Sequence, residues 1–186
     1  MTIGIVAVQG AFLEHEKMLD RLGVEYAELR QKSDLEREYD GLILPGGEST
    51  VQGKLLKELD MFDTLKKWID GGIPVLATCA GMILLADKLS NDDKHYFQSI
   101  PMTVRRNAYG RQMGSFHTSA RFGDKGNIPM TFIRAPFVEA AAPEAEILSV
   151  VDSHIVGVRY KNQIALAFHP ELDDDLTVHK TFLEMI

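Results

Sequence analysis

A single cysteine, Cys79, leaves the chain without any intramolecular disulfide, and dispensing with such staples fits a reducing cytoplasm. Positive charge is scarce: 20 Lys and Arg stand against 27 Asp and Glu, for a formal net charge of −7. With no block of basic residues to offset that balance, non-specific nucleic-acid binding is excluded. No apolar run approaches the roughly 20 residues that a membrane helix needs. The apolar N-terminal run Thr2–Val8 has no basic leader, so it reads as a first strand rather than a signal. The cysteine and the scattered histidines show no ligand-pair spacing, and no metal is expected. Internal repeats and low-complexity segments are lacking too. What remains is a chain of 186 residues, long enough to bury a core unaided, for which a single domain over 1–186 is expected.

The first half alternates strands and helices. Thr2–Val8 is a nearly continuous β-prone run, as in a strand buried on both faces. Gln9-Gly10 breaks it, and apolar residues at Phe12, Leu13, Met18, Leu19 and Leu22 describe an amphipathic helix ending at Gly23. Val24–Leu29 reads as a second strand, Asp34–Glu38 as a connector too charged for the core, and Gly41–Leu44 as a third strand. Helices are expected over Val51–Leu59 and Met61–Ile69, with Ser49 or Thr50 capping the former. Gly71-Gly72 then leads into a buried strand at Ile73–Ala77, followed by a helix over Ala80–Leu89. Beyond it, Ser90–Ser99 is polar and irregular. Short segments at Met102–Val104, Gly114–Phe122, Met130–Ile133, Phe137–Ala140, Ile147–Val151, Ile155–Tyr160 and Ile164–Phe168 predict shorter, partly antiparallel strands, before a last helix at Leu176–Met185. The class is α/β: a mostly parallel mixed sheet in three layers, helices on both faces, with ligands expected at the carboxyl ends of its strands.

Cys79 lies where the Ile73–Ala77 strand meets its helix, flanked by small residues in Ala77-Thr78-Cys79-Ala80-Gly81. Small-x-nucleophile-x-small is the spacing of a nucleophile elbow, a sharp strand-to-helix turn that lifts the reactive atom above the sheet. Backbone N–H groups at the helix start favour an anionic sulfur there. A lone cysteine is otherwise a small buried hydrophobe. Ile164–Phe168 runs into His169-Pro170-Glu171, and Pro170 disfavours helical geometry at His169. In extended chain, residues two apart share a side. His169 and Glu171 thus face one pocket, the carboxylate orienting the imidazole, which with Cys79 completes the pattern of an activated nucleophile. A strand-end histidine in a surface turn is the plainer alternative. His15, His117, His154 and His179 lack such a setting and read as surface or packing residues, with His95 in a polar connector. Pro45-Gly46-Gly47-Glu48-Ser49-Thr50 follows the third strand, where two glycines let backbone amides approach a ligand. It lacks the Gly-Lys-Ser/Thr ending of a phosphate loop.

Taken in order, Pro45–Thr50, Thr78-Cys79-Ala80-Gly81, Arg106-Asn107-Ala108-Tyr109-Gly110-Arg111-Gln112, Phe132-Ile133-Arg134-Ala135-Pro136 and His169-Pro170-Glu171 closely resemble the glutaminase-subunit family of pyridoxal 5′-phosphate synthase. That family belongs to the class I, triad-type glutamine amidotransferases. The elbow and His-Pro-Glu are common to the class; the other runs are narrower, and Tyr109 stands where phenylalanine is more usual. The resemblance implies a flavodoxin-like class I glutaminase fold. It also implies hydrolysis of L-glutamine to glutamate and ammonia through a thioester on Cys79, with His169 as base and acid and Glu171 orienting it. Ala80 and Gly47 N–H groups would meet the oxyanion, and Gly46, Gly47, Glu48, Ser49, Arg106, Ile133 and Arg134 match glutamine-binding positions. No cofactor is implied; the partner is a separate synthase subunit that takes the ammonia, in a heteromeric cytoplasmic complex for vitamin B6 biosynthesis. Three alternatives stay open: a glutaminase subunit of another pathway, a cysteine hydrolase or peptidase on a similar fold, and a non-enzymatic binding module.

Overall fold

The computed structural model describes residues 1–107 and 114–186. The parallel half of the sheet is built from β1 (Thr2–Val6), β2 (Glu25–Leu29), β3 (Gly41–Leu44), β4 (Val75–Thr78) and β12 (Gln163–Leu166), in the order β2-β1-β3-β4-β12. Ile3, Ile5, Leu42, Ile43, Val75, Leu76, Ala77 and Ile164 through Phe168 are all fully buried. That explains why these strands read as unbroken apolar runs: both faces are covered, so there is no alternation to see.

The order fixes where the helices go. β1 connects to β2 through α1 (Phe12–Leu22), moving one way along the sheet. β3 connects to β4 through α2 (Ser49–Glu58) and α3 (Phe62–Asp70), moving the other way. Right-handed crossovers in opposite directions put these helices on opposite faces. α4 (Ala80–Leu85) packs with α2, and α5 (Thr177–Leu183) meets α1 where the His15 and His179 rings touch.

The second half extends the sheet mainly with antiparallel strands. β11 (His154–Tyr160) pairs antiparallel with β12, with β10 (Glu146–Val151) and with β9 (Phe137–Ala141). β6 (Ile100–Arg105) follows antiparallel to β9, and β5 (Ala86–Leu89) closes that edge parallel to β6. β7 (Ser115–Arg121) and β8 (Asn127–Ile133) form a two-stranded sheet of their own instead of joining the main one. Phe132 in β8 stacks on Phe116 at 4.5 Å and tilts against Phe168 at 5.7 Å. These aromatics seat the hairpin beside the end of β12.

Three expectations need correction. The helix after Cys79 stops at Leu85, and Ala86–Leu89 is a strand paired with β6; uniformly apolar sequence does not distinguish a buried helix from a buried strand. The segment Lys32–Leu35 is a 3-10 turn whose Leu35 is buried despite charged neighbours. The cap of α2 is Glu48 rather than Ser49 or Thr50: its carboxylate accepts the Thr50 N–H at 3.2 Å and the Val51 N–H at 2.8 Å.

Candidate active site

The carboxyl ends of β1, β3, β4 and β12 lie side by side, and each delivers part of one cavity of about 420 Å³. Cys79 leaves β4 with φ 47° and ψ −99° and opens α4. A non-glycine residue at positive φ is strained, and such strain persists only where the surroundings enforce it. Here they do: the Cys79 N–H donates to the Leu166 carbonyl of β12 at 2.7 Å, and α4 runs so close to β3 that a Cβ on Gly81 would lie 2.2 Å from the Leu44 carbonyl oxygen. The small residue two places after the cysteine is a packing requirement. The sulfur lies 3.9 Å from the Ile133 carbonyl, at the end of β8 farthest from the hairpin turn.

His169 sits three residues beyond the end of β12, with its N–H donated to the Thr131 carbonyl of β8 at 2.8 Å. Thr131 in turn donates its N–H and its hydroxyl to Asp173, at 3.1 and 2.9 Å. The hairpin is thereby fixed to both ends of the His-Pro-Glu segment. Glu171 meets His169 with its Oε1 2.7 Å from Nδ1. The reason differs from the expected one: the chain does not continue extended, since Pro170–Leu172 is a 3-10 turn that folds the carboxylate back onto the ring. Proline at the first position of that turn supplies the φ it needs.

Both groups are buried. Burial works against an imidazolium at His169, but the Cys79 sulfur and the Glu171 carboxylate outweigh it and push the ring up to about 10. Burial holds Glu171 above the usual carboxylate range, with His169 pulling it back. With Nδ1 taken by Glu171, Nε2 is the nitrogen left for the sulfur. Gly46 makes the ring's position possible, because a Cβ there would lie 2.3 Å from His169 Cε1. The Gly46 N–H donates to Thr78 Oγ1 at 3.0 Å, and its carbonyl accepts the Ala11 N–H at 2.9 Å.

Gly46, Gly47, Glu48, Ser49, Cys79, Arg106, Ile133, Arg134 and His169 all line the cavity, whereas Glu171 and Ala80 lie behind it. Ala80 is the first residue of α4, so its N–H has no acceptor within the helix. Arg106 is held in place twice over. Its backbone exchanges hydrogen bonds with the Asn91 side chain at 3.0 Å each way, and its guanidinium bridges Asp92 and Glu48, the latter at 3.0 Å. Burial favours the neutral acid at Glu48, but the Val51 and Thr50 N–H groups and Arg106 hold its carboxyl below the usual range. Arg134 has φ 43° and donates its N–H to the Gly114 carbonyl. The motif residues Ala108 to Gln112, Tyr109 among them, lie outside the described residues.

Gln9, Gly10, Ala11, Ile83 and Asn107 line the cavity as well, though none is among the expected glutamine-binding residues. The first three were findable, because Gln9-Gly10 follows a parallel strand at the same end of the sheet as the other loops. Two histidines were also underread. His15 and His179 are fully buried, and His15 Nε2 lies 3.6 Å from Glu171 Oε2. Among the described residues no cluster of His, Cys, Asp and Glu could hold a metal, and no helix is long and apolar enough to cross a membrane.

The sequence profile of the SNO glutamine amidotransferase family matches residues 5–186. A pyridoxal 5′-phosphate synthase subunit PdxT from Desulfitobacterium hafniense (strain DSM 10664 / DCB-2) is 60% identical over 186 residues, covering all of this chain and 94% of the relative. A subunit of the same name from Bifidobacterium longum is 50% identical over 98% of this chain and 99% of its own. A crystal structure described as a glutamine amidotransferase superposes with a TM-score of 0.92 at 38% identity, over 98% of this chain and 97% of that one.

Proposed function

The chain belongs to the SNO glutamine amidotransferase family, and from that premise we propose that it is the glutaminase subunit of a pyridoxal 5′-phosphate synthase. It hydrolyses L-glutamine to L-glutamate and ammonia and passes the ammonia to a synthase subunit, in the cytoplasm, as a single glutaminase domain over residues 1–186. The observation that carries this reading is the arrangement of Cys79, His169 and Glu171: a strained elbow sulfur, a ring beside it, and a carboxylate 2.7 Å from the ring's far nitrogen.

Cys79 is the nucleophile and His169 takes its proton. The sulfur adds to the carbon of the glutamine side-chain amide, and the oxygen of that amide becomes an oxyanion. Collapse expels ammonia, which leaves with the proton held on His169, and the acyl group stays on sulfur as a thioester. Water then attacks the thioester, giving its proton to His169. The second oxyanion collapses, and the sulfur leaves to give glutamate. Glu171 accepts the Nδ1–H throughout, fixing the tautomer and stabilising the imidazolium. The Ala80 N–H and the Gly47 N–H are the oxyanion donors, each of a kind whose loss costs about 3 kcal/mol. Gly46, Glu48, Ser49, Arg106, Ile133 and Arg134 complete the glutamine site. Arg134 suits the charged end of an amino-acid substrate, because a guanidinium pairs with a carboxylate through two hydrogen bonds, whereas Arg106 is already paired with Asp92 and Glu48.

The test is glutamate release from L-glutamine by the purified chain, alone and with its synthase subunit. Production of glutamate that depends on Cys79 supports the reading. No release under either condition, with folded protein, overturns it.

A further inference from the structure

Behind the triad runs a buried chain of polar groups that the reaction as described does not use. His15 on α1 has its Nδ1 3.0 Å from Nε2 of His179 on α5. Its own Nε2 lies 3.3 Å from Thr78 Oγ1 and 3.6 Å from Glu171 Oε2. Thr78 Oγ1 is also the acceptor of the Gly46 N–H. One imidazole therefore stands between the carboxylate of the triad and the loop that supplies an oxyanion donor. All four side chains are buried, His15, Thr78 and His179 with no exposed surface at all.

The hydrogen-bond accounting selects one arrangement of protons. Glu171 Oε2 is buried and accepts no hydrogen bond from the described residues. A carboxylate oxygen left so is expensive unless a donor faces it. Only the Nε2–H tautomer of His15 turns a positive edge toward that oxygen, across 3.6 Å, while its proton goes to Thr78 Oγ1 at 3.3 Å and its Nδ1 takes the His179 Nε2–H. The opposite tautomer would aim a lone pair at the carboxylate and leave the buried His179 Nδ1–H without an acceptor, since that atom too has no partner among the described residues. Burial and the neighbouring rings keep His15 well below its ordinary range, and burial with Arg21 lowers His179 to about 4, so both rings are neutral at working pH.

We propose that His15 is a positioning residue of the glutaminase reaction: its Nε2–H, bonded to Thr78, presents a positive edge to the second oxygen of Glu171 and ties the triad to the Gly46 loop, while His179 fixes its tautomer. This rests on the reading of the site as a glutaminase. Glu171 pivoting about its hydrogen bond to His169 would misplace the base, and a misplacement on the order of 1 Å can cost about a hundredfold in rate. His15 touches no substrate, so its effect falls on kcat and leaves KM in place.

A double-mutant cycle on the complex with the synthase subunit tests this, with kcat expressed per folded chain, the folded fraction being read from cooperative thermal melting of each variant. His15→Asn retains a group facing His179 but removes the Nε2–H; it should lower kcat about ten- to hundredfold with KM unchanged. His15→Gln places an amide N–H near the lost position and should recover most of that loss. In a Glu171→Gln background, His15→Asn should have little further effect, because its action passes through that carboxylate. Full additivity of the two changes, or a His15→Asn enzyme within twofold of wild type, overturns the proposal. So does a loss that His15→Gln fails to recover. Should His15→Asn not fold, His179→Leu takes its place in the cycle and should show the same non-additivity with Glu171→Gln. A wild-type complex that releases no glutamate would instead refute the glutaminase reading itself, so the two failures are distinguishable.

Discussion

At the scale of the residue, three substitutions separate chemistry from packing. Cys79→Ala should abolish glutamate release and leave the fold and partner binding intact, because the change removes only the sulfur and keeps the Cβ already accommodated at φ 47°; residual activity near wild type would remove Cys79 from the mechanism. His169→Asn should slow hydrolysis by several orders of magnitude, since members of such a triad act as a unit. Glu171→Gln should cost less, as it orients the ring across 2.7 Å rather than carrying a proton to substrate; steady-state kinetics of the two variants side by side give the ranking, and a Glu171 loss equal to that of Cys79→Ala would contradict the orienting role. Gly46→Ala is the packing counterpart. Its methyl would sit 2.3 Å from His169 Cε1, so the ring must move and kcat should fall by about a hundredfold in a protein that still melts cooperatively.

At the scale of the element, the junction of α1 and α5 predicts acid sensitivity. Its two histidines have folded pKa values lowered by burial, His179 to about 4. Between the ordinary value near 6.5 and about 4, the unfolded chain binds protons that the folded one refuses, so stability falls as pH falls, by up to about 1.4 kcal/mol per pH unit for each ring. Thermal midpoints measured from pH 7 to pH 4 should therefore decline, and His179→Leu should flatten part of that slope; an unchanged slope would mean that these rings are not the groups titrating. The same junction marks the limit of what the sequence discloses. The parallel strands, α1 and the loops that follow β3 and β4 were legible, because buried strands and elbows leave local patterns. His15 and His179 were not, since nothing near either residue reveals that two helices far apart in sequence meet behind Glu171. The two strands of the β7–β8 hairpin are legible in the sequence but their separate sheet is not, because pairing partners are not encoded within a strand. Glu48 was matched to the substrate site but missed as a cap, since aspartate, asparagine, serine and threonine are the residues favoured there.

At the scale of the whole molecule, a glutaminase that feeds a partner should be quiet alone. Gln9-Gly10 and Gly46-Gly47 adjoin the cavity, and the Gly46 carbonyl is tied to the Ala11 N–H, so this peptide's orientation depends on the loop after β1. With one oxyanion donor misdirected, the rate would drop by about 10²–10³. Titrating the synthase subunit into the chain should raise glutamate formation by that order, and a rate independent of the partner would refute the switch. The sheet order carries one more consequence, for synthesis on the ribosome. β12, the last of the parallel strands to be made, lies inside the sheet between β4 and β11 and leads to the base. A nascent chain therefore carries its thiol long before the sheet has its middle. Until β12 inserts, β4 presents an open edge of backbone N–H and C=O groups, the kind of surface that recruits stray strands. Any pause in translation between the synthesis of β4 and that of β12 would prolong that exposure and with it the chance of a wrong pairing.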